Sequence, residues 1–264
     1  MKTFGIIGQG FVGNAVYQGF KEKFNVLTYD LIEEKSNSTL KEIVKKCEVI
    51  FLCVPTPMLP NGECDISIVN KALSDIDYLV KIGDNRIIVL KATVPPGTCD
   101  IFNKLYTKLR IIFNPEFLTA ANAVEDFQNQ NRIILGGDKM YADKVGKIYE
   151  QTFFAPVFYC DNKTAEMVKY VNNAFLAMKV SFANEMHEFC QASKIDYDEV
   201  IELAMLDKRL GDSHWKVPGP DGDFGFGGMC FPKDVNALIY EFDKRDVDAT
   251  MIKATWSKNL KVRK

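Results

Sequence analysis

The sequence predicts an α/β domain built on a doubly wound parallel sheet over residues 1–160, followed by an all-helical domain over residues 161–264. Three observations predict it. As far as about residue 160, short runs rich in Ile, Val and Phe alternate with helical stretches, and each run ends in glycine, proline or polar residues. That is the pattern of parallel strands whose carboxyl ends open onto a site. The first run leads straight into a glycine turn, Gly8-Gln9-Gly10-Phe11-Val12-Gly13. After Val157-Phe158-Tyr159, apolar residues recur only at helical spacing.

Residues Thr3 to Gly13 read as a buried strand entering that turn, with a helix to about Lys21. In this context G-x-G-x-x-G has a mechanism. The first glycine makes the turn, the second lets the main chain approach a pyrophosphate, and the third lets helix pack on strand. A second strand, Asn25 to Tyr29, ends at Asp30, about 20 residues past the first glycine, where an acid holds a ribose 2′-hydroxyl and disfavours a 2′-phosphate. NAD, rather than NADP, is the expected cofactor. The third strand, Val49 to Val54, stops at Pro55-Thr56-Pro57, a loop placed to touch cofactor.

A helix from about Ile66 to Lys81 leads to a strand, Arg86 to Leu90, and then to Lys91-Ala92-Thr93-Val94-Pro95-Pro96-Gly97-Thr98. Another helix to about Leu109, a strand Arg110 to Phe113, the loop Asn114-Pro115-Glu116-Phe117-Leu118, a strand Arg132 to Leu135 and a helix Tyr141 to Glu150 complete the first domain. In the second domain Asp161 stands as the N-cap of a long helix to about Ala192. A shorter helix, Asp196 to Leu206, follows, then a loop rich in glycine and proline, Gly211 to Gly228, and helices from Pro232 to about Lys244 and from Asp248 onward. The basic end, Ser257 to Lys264, reads as a solvated helix end or frayed tail.

The glycine loop delivers Cys230 just ahead of a helix whose first turn holds Pro232 and Asp234. Backbone N–H groups and the helix dipole stabilise a thiolate there, and the glycines of Phe224-Gly225-Phe226-Gly227-Gly228 let a ligand approach the main chain. The plain alternative is a structural cysteine under a helix cap.

Composition excludes several classes. A net charge of −2 supplies no basic field for nucleic acid or an anionic membrane, and no stretch has the length of a membrane span. The seven cysteines are scattered, odd in number and without C-x-x-C spacing, which suits a reducing cytoplasm rather than a disulfide framework or a zinc site. With only two histidines, His187 and His214, no metal site is expected.

The motifs together resemble the UDP-glucose/GDP-mannose dehydrogenase family, on its UDP-glucose branch. The likeness runs from Gly5 to about Arg263 and is carried, in the family's order, by Gly8 to Gly13, Val54-Pro55-Thr56-Pro57, Thr93 to Thr98, Asn114 to Leu118, Ala165-Glu166-Met167-Val168-Lys169-Tyr170 with Asn173, and Gly225 to Asp234. The resemblance implies a Rossmann-like NAD domain, a central helical domain that forms a homodimer through the helix starting at Asp161, and oxidation of a nucleotide sugar's primary alcohol to a carboxylate. The oxidation takes two hydride transfers to NAD and passes through a thioester on Cys230. UDP-glucose is the favoured substrate, because Met229 rather than histidine precedes Cys230, and GDP-mannose stays open.

The same resemblance implies residue roles. Lys169 and Asn173, one helical turn apart, stabilise an oxyanion, and Lys169 favours the Cys230 thiolate. Asp234 positions a water or proton, Glu116 is the base for thioester hydrolysis, and Thr93 orders the water. Cofactor contacts fall on Gly8, Gly10, Phe11, Val12, Gly13, Asp30, Lys35, Val54, Pro55, Thr56, Thr93, Glu116 and Lys233. Substrate contacts fall on Glu116, Phe117, Leu118, Lys169, Asn173, Phe224, Gly227 and Cys230, with Arg209 reaching across the dimer into the partner's site.

Two features depart from the family. Thr119-Ala120-Ala121 stand where it has a charged residue, Glu and Gly, and the chain lacks the third domain that holds the sugar's nucleotide. Two alternatives follow: a two-domain β-hydroxyacid-type NAD dehydrogenase, or a non-catalytic NAD-binding remnant. Cys230 argues against the first, because single-step alcohol oxidation needs no nucleophile. The joint presence of Thr93, Glu116, Lys169, Asn173, Cys230 and Asp234 argues against the second.

Overall fold

A computed structural model describes residues 2–263. The chain forms two compact units, one containing the residues through Pro57 together with Asp65–Lys169, the other Met58–Cys64 together with the residues from Tyr170 onward. The division falls at Lys169/Tyr170, inside a helix, rather than at the expected 160/161, and a seven-residue excursion of the first segment belongs to the second unit.

The first unit runs β1 (Thr3–Ile7), α1 (Phe11–Phe20), β2 (Asn25–Tyr29), α2 (Leu40–Lys46), β3 (Val49–Leu52), α3 (Ser67–Leu79), β4 (Arg86–Leu90), α4 (Thr98–Leu105), β5 (Leu109–Phe113), α5 (Ala123–Gln128), β6 (Ile133–Gly136), α6 (Lys139–Glu150) and β7 (Val157–Cys160). The strands form one sheet in the order β2-β1-β3-β4-β5-β6-β7. Neighbours are parallel except β5 and β6, which meet antiparallel at Phe113 and Gly136. The sheet is therefore mixed, not wholly parallel as expected. An apolar run carries no mark of its direction, so this reversal belongs to the connection, where α5 lays the Phe127 ring against α1 at Gly19.

The continuous apolar strands are explained by burial on both faces. Ile50, Leu52, Ile88, Leu90 and Phe113 pack on one side with Ile43, Leu73 and Ile76 of α2 and α3. Phe51, Val89 and Ile112 alternate with them and pack on the other side with Phe20, Phe127 and Tyr149 of α1, α5 and α6. At the centre of the second face, the fully buried Phe20 ring lies 5.2–5.9 Å from the rings of Phe4, Phe24, Phe51, Phe127, Tyr149 and Phe153. Helix α2 starts at a capping box, in which the Thr39 side chain accepts from Glu42 N while the Glu42 carboxylate accepts from Thr39 N.

Helix α7 (Asn162–Ser193) begins in the first unit and continues into the second, where α8 (Tyr197–Ala204), α9 (Phe231–Asp243) and α10 (Thr250–Val262) follow. One core of the second unit gathers Ala183, Cys190, Tyr197, Trp215 and Val217; another gathers Ala177, Phe226 and Val235 with Phe231, Ile252 and Trp256. The excursion is closed by a bridge between Met58 and Cys64, and its Gly62 packs on Asn236 of α9. As far as Arg263 the basic segment is not a frayed tail, and Lys264 lies outside the described residues. Helix α10 continues through Val262, Lys258 pairs with Glu188 at 2.6 Å, and Asn259 is buried.

The ring cluster gives a direct test of the core. Phe20→Ala should cost about 3–5 kcal/mol through lost transfer energy and a cavity, and Phe20→Leu clearly less. Urea unfolding of the three proteins measures this, and equal midpoints would refute a central role for the ring.

Candidate functional site

In the first unit the turn after β1 is built for an anion. Gly8 has φ +89°, and a side chain at Gly13 would place Cβ 1.8 Å from Gly8 O. Gly10 has nothing within 4 Å of where its Cβ would be, so the main chain is open there. Gly10 is also the N-cap of α1, which has no side-chain cap and no acidic residue in its first turn, where Phe11 and Val12 stand. Its N–H groups and dipole are therefore not capped by any acid of the helix's own first turn.

Asp30, at the end of β2, accepts from Gln9 N at 2.6 Å and from Ile32 N at 2.9 Å. Burial works against its carboxylate, but those N–H groups and the charge of Lys35 more than offset it, and its pKa lies below the ordinary value. A cavity of about 600 Å³ opens beside this turn, lined among others by Gln9, Gly10, Phe11, Tyr17, Lys35 and Asn37. The buried Gln9 Nε2 has no hydrogen-bond partner. An open helix start, an acid beside the turn and an unpartnered donor fit a dinucleotide's diphosphate and ribose. Of the cofactor contacts that the resemblance implies, Gly10, Phe11 and Lys35 line this cavity, and Asn14, Tyr17, Ser36 and Asn37 line it as well. Asn37 is fixed by the strand itself, accepting from Thr28 N at 2.7 Å and donating to Val26 O at 3.0 Å.

The loops after β3, β4 and β5 are tied together by buried polar groups. Thr56 donates to Thr93 O at 2.9 Å, joining the Val54–Pro57 loop to the β4 loop. Lys169 of α7 makes a 2.8 Å ion pair with the Glu116 carboxylate and donates to Glu116 O at 2.7 Å, and the other carboxylate oxygen accepts from Leu118 N. Both side chains are below 10% exposed, at 5% and 7%. Phe117 is held under the Arg132 guanidinium, 4.2 Å from the ring centre.

Two buried charges here are not evident from sequence. Glu166, one turn before Lys169, accepts from Gly97 N at 2.5 Å and Cys99 N at 2.8 Å, capping α4. Burial raises its pKa against the pull of those two bonds. Lys91 donates to Asn114 Oδ1 at 2.8 Å, an atom that also accepts from the Tyr149 hydroxyl at 2.6 Å. Burial drives the Lys91 ammonium down to about 8, opposed by Cys53 and Glu116 and assisted by Lys169. The signal for both lies in their neighbours, since each sits in a run already singled out by its prolines or by its helical pattern.

In the second unit Cys230 is half-buried and is the N-cap of α9, with Pro232 and Asp234 in the first turn. Asp234 is 1% exposed and accepts from Asn173 Nδ2 and Lys233 Nζ, each at 2.5 Å. Asn173 and Lys233 are thus brought to one carboxylate. Lys169 and Asn173 lie one turn apart on α7, the first engaged with Glu116 and the second with Asp234. Arg209 is exposed and forms a local pair with Asp207 at 2.5 Å. Phe224 is partly exposed with its ring 5.7 Å from His187, and the Arg263 guanidinium lies over Gly227. Among the described residues no group of His, Cys, Asp or Glu could hold a metal ion, and no helix is long and apolar enough to cross a membrane.

Comparison with known proteins is consistent across the chain. Residues 31–153 match the NAD binding domain of the UDP-glucose/GDP-mannose dehydrogenase family, and residues 163–261 match its central domain. The UDP-glucose 6-dehydrogenase of Rickettsia bellii (strain RML369-C) is 36% identical over 251 residues, covering 92% of this chain and 56% of that protein. The GDP-mannose 6-dehydrogenase of Pseudomonas syringae pv. tomato is 31% identical, covering 85% of this chain and 53% of that protein. The solved UDP-glucose dehydrogenase of Pyrobaculum islandicum superposes with a TM-score of 0.89 at 29% identity, covering 98% of this chain and 68% of that one. The chain spans about half the length of the two sequence relatives.

Lys91 supplies a pH test of the buried network. Its pKa is lowered to about 8 in the fold from an ordinary 10.5, so between those values the unfolded chain keeps a proton that the folded chain has released. Stability of the wild type relative to Lys91→Met should therefore rise with pH across that window, by at most about 1.4 kcal/mol per unit, and be flat below it. Urea unfolding of both proteins across the window measures this, and a difference flat throughout would mean that Lys91 keeps its ordinary pKa.

Proposed function

Because the chain belongs to the UDP-glucose/GDP-mannose dehydrogenase family, we propose that it oxidises the primary alcohol of a nucleotide sugar, UDP-glucose in the first instance, to the carboxylate through a thioester on Cys230. The observation that carries this reading is Cys230 at the N-cap of α9, with the buried Asp234 one turn on and held by Asn173 and Lys233. A single alcohol-to-carbonyl oxidation would use no nucleophile. A cysteine placed where backbone N–H groups favour its thiolate belongs to a reaction that must hold an aldehyde between two oxidations.

NAD, when bound, accepts one hydride per molecule, so the four-electron oxidation uses two in succession. The chain's own residues do the rest. After the alcohol has lost a hydride and a proton, the Cys230 thiolate adds to the aldehyde carbon, giving a thiohemiacetal. Loss of a second hydride leaves the thioester. Water then attacks, the carbon–sulfur bond breaks, and the products are the carboxylate and a restored thiolate. Lys169 and Asn173 offset the charge that develops on the substrate oxygen, and Asp234 handles a proton in these steps. Glu116 draws the proton from the attacking water, and Thr93 orients that water. The open start of α1 and the Asp30 carboxylate hold the cofactor's diphosphate and ribose.

The reading includes a homodimer and a cytoplasmic location. Val171, Phe175, Phe182 and Phe189 are each more than half exposed and recur along one face of α7, an apolar stripe that a second copy of the helix would cover. No disulfide joins the cysteines among the described residues, which suits a reducing compartment.

NADH formed per sugar consumed, with UDP-glucose and then GDP-mannose, tests the chemistry. About two NADH per sugar, abolished in Cys230→Ser, is the expected result for a four-electron route. One NADH per sugar with no effect of the substitution would replace it with a simple alcohol oxidation, and NAD binding without turnover would deny the chain the reaction. For the dimer, light scattering should give twice the chain mass for the wild type and a monomer for Phe182→Glu. A wild-type monomer would remove that part of the proposal.

A further inference from the structure

The loop from Gly211 to Gly228 carries glycines at 211, 219, 222, 225, 227 and 228, and past Pro220 little in its own sequence restrains it. What restrains its last turn comes from α10 and, at one bond, from α7. The buried Asn259 side chain accepts from Phe226 N at 2.7 Å and donates to Phe226 O at 3.0 Å, pairing with the main chain as a neighbouring strand would. Asn184 of α7 accepts from Gly225 N at 3.0 Å. One turn past Asn259, the Arg263 guanidinium pairs with Asp221 at 2.8 Å and with Asp223 at 3.3 Å.

Gly225 is required by its conformation and by Asn259, and Gly227 gives the Arg263 guanidinium its place. A Cβ on Gly225, which also has φ +71°, would stand 2.3 Å from Asn259 Oδ1, and one on Gly227 would stand 2.2 Å from Arg263 Nη2. Helix α10 is itself anchored to α7, since Ser181 donates to Thr255 O at 2.9 Å and Lys258 pairs with Glu188.

We propose that Asn259 and Arg263 form a clasp that holds the Gly225–Gly228 turn and thereby positions Cys230 at the start of α9. They are positioning residues: neither is assigned contact with substrate. The ion pairs are partly exposed and contribute little as isolated pairs. Their effect is steric and directional, because the planar guanidinium closes over Gly227 while its charge holds Asp221 and Asp223. Opening the clasp frees the turn, and the thiolate loses part of the N–H and dipole stabilisation that depends on its place at the helix start. The consequence for turnover rests on the proposed role of Cys230; the consequence for the thiol does not.

The test is the pH–rate profile for iodoacetamide alkylation of Cys230, followed on its own peptide by mass spectrometry. Arg263→Ala and the paired change Asp221→Asn with Asp223→Asn should each raise the midpoint, slowing alkylation about threefold or more below it. The combined variant should go no further than either alone, and Arg263→Lys should recover part of the loss. Cys53 and Cys160, half-buried in the first unit, serve as internal controls and should be unchanged. A Cys230 profile that superposes on the wild type in Arg263→Ala overturns the clasp, as does an equal change at Cys53 and Cys160, which would signal general loosening. Asn259→Ala strands two buried backbone groups and is read only if it keeps the wild-type thermal transition; Arg263→Ala, at the surface, is the deciding variant. A shifted thiol profile in a chain that turns over no sugar would sustain the clasp and sink the catalytic reading.

Discussion

The ion pair between Lys169 and Glu116 is the interaction on which the loop end of the first unit depends. Each charge is almost wholly removed from water, and each has the other as its compensating partner. Removing one side of such a pair leaves an unpaired buried charge, at a cost of about 3–5 kcal/mol, more than a well-packed apolar side chain contributes. Because Lys169 also bonds the Glu116 carbonyl, the loop after β5 is fixed by its main chain as well as its side chain. One turn earlier on the same helix, Glu166 fixes the loop after β4. The opening turns of α7 thus set two adjacent loops with one cation and one anion.

Two helix starts of the first unit show what that arrangement leaves open. The N-terminus of α4 is filled by the chain's own carboxylate, Glu166, and cannot also receive a ligand's anion. The N-terminus of α1 has no side-chain cap and no first-turn acid, and a side chain at Gly10 would meet open space. The charge distribution therefore leaves the start of α1 open to an anion and closes the equivalent place on α4.

How much of this was legible in the sequence depends on the range of the signal. The strands, the glycine turn with Asp30, and Cys230 ahead of Pro232 and Asp234 are local patterns, and the structure forms each of those local features where its pattern stands. The capping box of α2 is equally local, with Thr39 three residues before Glu42, but it opens a helix of only seven residues between two strands whose apolar runs are the stronger signal. The antiparallel meeting of β5 with β6 is set by how α5 packs, which no single run encodes. In the candidate site, Lys91 and Glu166 are residue types normally found at the surface, and only the three-dimensional position of Asn114, Gly97 and Cys99 explains their burial. Arg263 looked like part of a basic tail because its acidic partners lie about forty residues back, in a loop whose composition says only that it turns.

The excursion Met58–Cys64 has a consequence for how the chain is made. Its residues belong to the second unit although they are synthesised within the first, and Gly62 finds Asn236 only after α9 has left the ribosome. At about 5–20 residues per second, that wait is on the order of ten seconds. During it the sheet's third and fourth strands can pair while the segment between them stays undocked. Neither unit is a contiguous stretch of polypeptide, so no cut of the gene at a single point yields two fragments that each hold a complete unit.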